Sequence, residues 1–174
     1  AVEEGDKNVG RGVGEGCTSG IYHKPGIDKA LRGQNSAGII GRSACLGGEI
    51  QQLELNHHLD EAEKAAADFA EMLPGRFYLE IQRHGIGEQE KVLVAQVALA
   101  KKLGLPLVAT NDCHFLNRED FLAHKVLLKI GTNEFDESGG LEDAYSAEHH
   151  VKTAAEMRKL FADLPEALDN SEKI

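Results

Sequence analysis

The chain is 174 residues long, with 41% hydrophobic and 28% charged residues, which provides enough apolar material for one globular core. Its 19 basic against 29 acidic side chains give a formal net charge of -10, which excludes the basic face that non-specific nucleic-acid binding requires. There is neither a signal-peptide pattern nor an apolar run of the ~18 residues that a membrane span needs, so we expect no export and no membrane partner.

The cysteines are odd in number and widely spaced. Cys17, Cys45 and Cys113 form no CxxC pair, which argues against a disulfide framework or a structural zinc knuckle. This favours a reducing, cytoplasmic setting. There is no initiating Met, so we also expect a piece of a longer chain.

The first element in chain order is a glycine-rich segment, residues 1–20, in which Gly10, Gly12, Gly14 and Gly16 recur. No strand precedes these glycines, and their spacing fits neither the dinucleotide-binding nor the P-loop motif. Glycine costs up to about 1 kcal/mol per helical position relative to alanine. We therefore expect this segment to form no stable helix.

From Gly20 onward, strand-like apolar runs alternate with helical periodicity, which is typical of β/α units. We predict strands at 37–45, 76–82 and 105–110. In the second strand, apolar Phe77, Leu79 and Ile81 should alternate with Tyr78, Glu80 and Gln82.

Helices are predicted between and after these strands. Asp60 and Glu63 have the spacing of a capping box, and the inner face of that helix is predicted to consist of Ala62, Ala65, Ala66, Phe69 and Leu73. The next helix runs from about Gly87 to Leu103, where Gly104 ends it.

Three more helices are predicted in the C-terminal third. Asn117 is expected to cap one of them, Thr153 with Glu156 another, and Pro165 to start the last. The inner face of the second is predicted to comprise Met157, Leu160, Phe161 and Leu164. Residues 132–150 show no clear period and are predicted to connect over the surface.

Groups that bind protons or metals follow the predicted strands. Asp112 and His114 come after the third strand, two residues apart in an extended segment, so their side chains should leave on the same side. Cys45 ends the first strand, and in parallel β/α folds such strand ends share one edge. Carboxylate, imidazole and thiolate together suit zinc, manganese or iron better than magnesium.

The residues alone leave other interpretations open. Asp112 is equally suited to cap the next helix, with Asn111 or Asn117 sharing that role. Cys45 alone also fits a small buried hydrophobic residue, and Cys113 is expected to be one. Glu80 is predicted to be a structural hydrogen-bond partner rather than a base.

The remaining histidines are predicted as follows. His124 shares a helix face with apolar residues and should be a satisfied core histidine. The pairs His57-His58 and His149-His150 should lie on the surface, because adjacent residues cannot face one centre from a helix. His84, just past the second strand, either lines the site or caps the strand.

Several blocks of the sequence resemble a known family. FYLEIQRHGIGEQEKV, LAKKLGLPLVATNDCHFLNRED and AHKVLLKIGT are similar to the PHP (polymerase and histidinol phosphatase) domain of bacterial DNA polymerase III alpha subunits. YHKPGIDKAL, SACLGGEI and KTAAEMRKLFADLPEALDNSEKI follow in the order and at about the spacing of that family. The resemblance covers the chain from about Glu3 to Ile174.

The resemblance implies an α/β fold, the distorted TIM-like β/α barrel of PHP domains. The chain begins after the family's His-x-His motif, so residues 21–174 should be the C-terminal portion of a partial barrel that lacks its N-terminal strands. Metal-bearing PHP domains hydrolyse phosphoesters at a trinuclear centre. Cys45, Asp112 and His114 match the family's ligand pattern, while Glu80 and His84 would support the ligands or face the substrate.

The resemblance also implies a function. We expect a fragment of a DNA polymerase III alpha subunit, whose parent is a DNA-directed DNA polymerase, a nucleotidyltransferase of DNA replication. The full domain would carry a metal-dependent 3′-5′ exonuclease or phosphoesterase activity, with Zn, Mn or Fe in a site that is incomplete in this chain. The partners would be the rest of the alpha subunit, replisome subunits and, through the parent protein, DNA.

Two alternatives stay open beside this expectation. In one, the domain is a non-catalytic scaffold that packs on the polymerase core and on replisome partners. In the other, it is a free-standing PHP phosphatase that acts on a small phosphomonoester such as histidinol phosphate.

Overall fold

The computed structural model describes residues 2–18, 21–22, 24–25, 28–132 and 145–174. The α-helices are α1 (Val2–Thr18), α2 (Lys29–Gln34), α3 (Glu49–Leu55), α4 (Leu59–Met72), α5 (Gly87–Leu103), α6 (Phe121–Thr132), α7 (Ala154–Leu160) and α8 (Pro165–Lys173). The strands are β1 (Ile21–Tyr22), β2 (Lys24–Pro25), β3 (Gly41–Arg42), β4 (Phe77–Ile81) and β5 (Leu107–Ala109). Short 3-10 helices cover Arg118–Asp120 and Ala147–His149. Across these described ranges, no helix has the length and apolar character needed to cross a membrane.

A parallel sheet with the order β3-β4-β5 lies at the centre of the fold. Gly41 pairs with Phe77, and Leu79 pairs with Leu107. Helices α3 and α4 connect the first two strands and α5 connects the second pair, as β/α units require. The predicted α/β class is confirmed, whereas a partial barrel remains a prediction.

Strand β4 is buried on both faces. Leu79 is fully buried, and Glu80 and Gln82 on the opposite face are each only 7% exposed. The predicted alternation of apolar and polar residues is present in the sequence, but it does not separate core from solvent. Helices cover both faces of a parallel sheet, so polar residues on β4 must find partners inside the protein.

The helices that were predicted most accurately have capping residues at their ends. Helix α5 has the predicted bounds, and Gly104 ends it in the left-handed conformation with φ 65°. Thr153 and Glu156 form the predicted capping box of α7, in which the Glu156 carboxylate accepts from the Thr153 N–H at 2.8 Å. Phe161, just after α7, is fully buried, as expected.

The first predicted strand is much shorter than residues 37–45. Only Gly41–Arg42 pairs in the sheet. The Arg76 guanidinium binds the carbonyl groups of Ser36 and Ile39 at 2.6 and 2.7 Å, which holds the preceding residues in a turn. On the other side, Ala44 has φ 72° and ends the extended backbone.

The predicted capping box of Asp60 and Glu63 is wrong. Helix α4 begins at Leu59 with His58 at the N-cap, so Asp60 lies in the first turn. Its negative charge there interacts favourably with the helix dipole and stabilises the helix. His57, with φ 63°, separates α3 from α4. The predicted inner face is confirmed at its centre, where Ala62, Ala65 and Ala66 are buried.

The prediction that residues 1–20 form no stable helix is also wrong, because α1 spans Val2–Thr18. One face of α1, formed by Gly5, Asn8, Gly12 and Gly16, is buried. A Cβ atom at Gly5 would lie 2.5 Å from the carbonyl oxygen of Gly38, so the backbones touch at this point. Packing of this face stabilises the helix despite its low propensity.

Glycines on the two sides of α1 should respond in opposite ways to alanine. We expect Gly10→Ala and Gly14→Ala each to raise the free energy of unfolding by about 0.5–1 kcal/mol, because a Cβ there meets nothing within 4 Å. Gly5→Ala should lower it, because the methyl group collides with the Gly38 carbonyl. Urea unfolding measures all three variants. A stabilising Gly5→Ala would show that α1 does not pack in this position.

A buried carboxyl group links α3 to α5. Glu54 is 7% exposed, and its carboxylate accepts from the Gln96 amide nitrogen at 2.8 Å. Burial raises the pKa of Glu54 to about 7, and the hydrogen bond from Gln96 opposes this only in part. The Oε1 atom of Gln96 is buried and, within the described residues, has no hydrogen-bond partner.

This pair should make stability depend on pH. The pKa of Glu54 is 4.5 in a solvated chain and about 7 here, so its contribution to the free energy of unfolding is fully present below pH 4.5 and is lost as the pH rises through 7. The loss is on the order of 3 kcal/mol. Glu54→Gln should abolish this loss, because an amide stays neutral and can donate to the free Oε1 of Gln96.

Urea unfolding at about pH 5 and about pH 8 tests this prediction. The matched control is Glu71→Gln on α4, which is solvent-exposed and should retain the pH dependence of the unchanged chain. If the free energy of unfolding changed equally with pH in Glu54→Gln and Glu71→Gln, the assignment to Glu54 would be contradicted.

Candidate functional site

The predicted ligands Asp112 and His114 lie together after β5. The Oδ2 atom of Asp112 is 3.5 Å from the Nε2 atom of His114, and their side chains are 36% and 29% exposed. Asp112 is not extended, as was predicted, but has φ 41°, a left-handed conformation that residues with side chains rarely adopt. The sharp turn at Asp112 therefore brings both groups to one accessible position.

A cluster of aromatic rings surrounds this pair. We call it the ring cluster, and it consists of His84, His114, His124, Tyr145 and His149. His84 and His149 stack with ring centroids 3.7 Å apart and planes at 16°. The His114 ring lies between this stack and the other two rings, 4.5 Å from Tyr145 and 5.4 Å from His124.

The stacked histidines are electrically neutral at neutral pH. Burial lowers the pKa of His149 to about 4, and the neighbouring His84 ring acts in the same direction. Burial also lowers the pKa of His84. The His84 ring accepts from the Gln89 amide at 2.7 Å through Nδ1 and donates through Nε2 to the Asn111 carbonyl at 2.8 Å. Since both nitrogens are used, His84 supports the turn and is not placed as a ligand.

The segment 145–151 holds the turn after β5 in place. The Asn111 amide donates to the carbonyl groups of Glu148 and His150 at 3.1 and 2.6 Å. The backbone N–H of His114 donates to the His149 carbonyl at 2.9 Å. The Ser146 hydroxyl donates to the His84 carbonyl at 2.7 Å, so this segment contacts two strand ends at once.

The prediction that His149 and His150 lie on the surface is wrong, because they are only 2% and 9% exposed. The segment is a short 3-10 helix capped by Ser146, and its contacts with the turn bury both rings. Ser146 and His149 have the three-residue spacing of a capping box, which is a sequence pattern that could have indicated this short helix. The rest of the predicted connection, residues 133–144, lies outside the described residues. His57 and His58 are exposed, as predicted.

The structure does not place Cys45 with the other two predicted ligands. Cys45 is exposed and lines a small pocket beside Glu80 and Gln82. Strands β3 and β5 lie on opposite sides of β4, and Cys45 lies beyond the end of β3 at Arg42. The described ranges contain no group of three His, Cys, Asp or Glu residues that could hold a metal ion.

The predictions for Cys113 and His124 are also wrong. Cys113 is exposed rather than buried, because the chain has left the sheet, and its thiol faces the His150 carbonyl at 3.6 Å. His124 is half-buried on α6, and its Nε2 atom is enclosed and has no hydrogen-bond partner in the described parts of the chain. It is therefore not a satisfied core histidine.

Glu80 has the structural role that was expected. Its backbone N–H donates to the Ser43 hydroxyl at 2.8 Å. Its carboxylate accepts from the Thr110 hydroxyl and pairs with Arg42 at 3.2 Å. Glu80 thus connects all three strands of the sheet below the turn that carries Asp112.

The pair Asp112 and His114 fits a divalent transition metal as two adjacent ligands. Metal-to-oxygen and metal-to-nitrogen bonds of roughly 2.0–2.2 Å in a tetrahedral site place neighbouring ligand atoms about 3.4 Å apart. The observed separation of 3.5 Å agrees with this. The donor set of one carboxylate and one imidazole suits zinc, manganese or iron.

Comparison with known families matches residues 2–84 to the PHP domain. This stretch belongs to the PHP domain family. It includes α1, the strand β3 and His84, and it ends before the turn that carries Asp112.

The whole chain, including the residues after the PHP match, is similar to one stretch of much longer proteins. The chain is 38% identical to DNA polymerase III subunit alpha of Borreliella burgdorferi over 172 residues, which cover 99% of this chain and 15% of that protein. It is 39% identical to the same subunit of Thermus aquaticus over 163 residues, 94% of this chain and 13% of that protein. The predicted resemblance is confirmed, and the chain spans about one seventh of the length of these relatives.

The contact between Asn111 and segment 145–151 can be tested by substitution. We expect Asn111→Asp to loosen this segment, because it replaces an amide donor by a carboxylate beside two carbonyl oxygens. Amide hydrogen exchange of residues 145–151 should speed up by at least about tenfold, which corresponds to about 1.4 kcal/mol. Asn56→Asp, the same change at an exposed residue that follows α3, is the matched control and should leave exchange of residues 145–151 unchanged. Equal protection in both variants would contradict this account.

Proposed function

We propose that this chain is a segment of a bacterial DNA polymerase III alpha subunit that serves in DNA replication in the cytoplasm. The support is its 35–40% identity to such subunits over most of its length. Residues 21–174 would form the C-terminal portion of a TIM-like PHP barrel. The parent protein would be a DNA-directed DNA polymerase, and the partners of this segment would be the rest of the subunit, replisome subunits and DNA.

Within that protein, Asp112 and His114 would hold a divalent metal. The observation that carries this proposal is the 3.5 Å separation of Asp112 Oδ2 and His114 Nε2 at an accessible strand end. When bound, zinc, manganese or iron supplies Lewis-acid stabilisation to phosphate oxygens and an activated water at neutral pH. Such a site suits hydrolysis of phosphodiesters, as in a 3′-5′ exonuclease.

The residues around the pair would fix its orientation. His84 and the backbone of segment 145–151 hold the turn at Asp112 through hydrogen bonds on both sides. Because burial lowers the pKa values of His84 and His149, these rings add no positive charge beside a cationic metal. The remaining ligands would come from other parts of the full domain, so the chain alone would bind metal weakly and hydrolyse nothing.

A non-catalytic scaffold is the second candidate. Helix α6 supports it, because Leu122, Leu127 and Ile130 are 73%, 66% and 62% exposed, and such an apolar face suits packing against another domain. Within the described residues no third His, Cys, Asp or Glu joins Asp112 and His114 to form a metal-binding group, which supports it too. A free-standing PHP phosphatase is less well supported, because the relatives named above are alpha subunits.

Metal analysis distinguishes the first two candidates. After loading with manganese or zinc and desalting, plasma mass spectrometry should find metal below one equivalent in the unchanged chain and none in Asp112→Ala/His114→Ala. His57→Ala, an exposed histidine away from the site, is the matched control and should retain the metal. Cys45→Ala should also retain it, since Cys45 lies outside the pair.

Absence of metal from the unchanged chain would favour the scaffold. A nitrophenyl phosphodiester with added manganese should show no turnover. Turnover that disappears in Asp112→Ala would overturn the expectation that this chain is inactive alone.

A further inference from the structure

A cavity of about 450 Å³ lies between α1, α2, β3 and α4, away from the ring cluster. Its walls are mainly apolar, with buried Leu73 and Phe77 and partly buried Phe69 and Met72 among the lining side chains. This volume lies within the range of roughly 300–1,000 Å³ that is typical of small-molecule sites. None of the residues proposed for metal binding lines it.

The glycines of α1 create this space. Gly12 and Gly16 lie on the buried face of α1 and line the cavity, yet they have no side chains to fill it. At Gly5 the helix backbone touches Gly38, so α1 cannot shift there to close the gap. A helix with larger residues at these two positions would occupy the volume with its own side chains.

The charge on the cavity wall is of one sign. Arg32 and Arg42 are the charged residues that line it, and no Asp or Glu does so among the described residues. This contrasts with the formal net charge of -10 for the chain. Arg42 pairs with Glu80 at 3.2 Å, whereas the guanidinium of Arg32 makes no ion pair or hydrogen bond within the part of the chain that the structure describes.

We propose that this cavity binds an amphiphilic carboxylate, with the alkyl chain between α1 and α4 and the carboxylate at Arg32. An unpaired guanidinium at the edge of an apolar space provides the two features that such a ligand needs, a bidentate donor for its head and a dry wall for its tail. Each additional methylene group should increase affinity by roughly fourfold until the cavity is full.

Isothermal titration calorimetry of the 174-residue chain with octanoate, decanoate and dodecanoate, below their micelle concentrations, measures how affinity depends on the length of the alkyl chain. Decanol and decylamine, which have no carboxylate, measure how affinity depends on the head group. We expect binding that strengthens with chain length, with decanoate at least about tenfold tighter than decylamine. Arg32→Gln should lower the affinity for decanoate by about tenfold and leave the affinity for decanol unchanged. No binding of any carboxylate, or equal binding of decanoate and decylamine, would overturn the proposal.

A matched pair of glycine variants tests the position. Gly12→Leu adds a large side chain at a residue that lines the cavity and should abolish decanoate binding. Gly14→Leu places the same side chain on the open side of α1, where nothing lies within 4 Å, and should retain binding. Circular dichroism of both variants checks that α1 persists, and Arg32→Gln remains decisive if Gly12→Leu does not fold. Binding that survives in a folded Gly12→Leu would show that the ligand sits elsewhere.

Discussion

The burial of β4 between two parallel neighbours is the constraint on which the rest of the structure depends. Its polar groups have no access to water, so Glu80 must be satisfied by Ser43 on one side and Thr110 on the other. These contacts fix where the neighbouring strands end and where the chain turns. The same arrangement puts β3 and β5, which precede Cys45 and Asp112 in the chain, on opposite sides of β4.

The turn after β5 depends on a second, long-range contact. Asp112 holds an unusual backbone conformation, which persists only where the surroundings determine it. Here Asn111 and His114 bind the backbone of segment 145–151, and His84 binds the turn from the other strand end. Two strand ends and a later segment thus build one site, in which His84 and the backbone of segment 145–151 hold the turn that carries Asp112 and His114.

Helix α1 shows how packing outweighs propensity. Glycine at five positions makes an isolated helix unfavourable, but a face of small residues lets the backbone approach the turn at Gly38 closely. The same lack of side chains leaves an apolar cavity toward Phe69 and Phe77. This region is therefore held by the close backbone contact at Gly5 and by the hydrogen bonds of Asn8 to Ala37 and of Arg11 to Asn35, although part of the interface is unfilled.

The sequence by itself determined the elements whose signals are local. Thr153 with Glu156, Gly104 and Pro165 mark helix ends through hydrogen bonds and dihedral angles within a few residues, and these predictions are confirmed. It also determined the α/β class and the family resemblance. The proximity of Asp112 and His114 was predicted from an extended backbone, whereas the turn at Asp112 is what brings the two side chains together.

Only the tertiary structure decided which distant residues meet. Burial of His149, support of the turn at Asp112 and stability of α1 each depend on contacts between parts of the chain far apart in sequence. Local patterns carry no information about such contacts, because their free energy arises when two surfaces lose water together. For this reason the sequence identified two of the side chains at the site, and the fold supplied the residues that hold them.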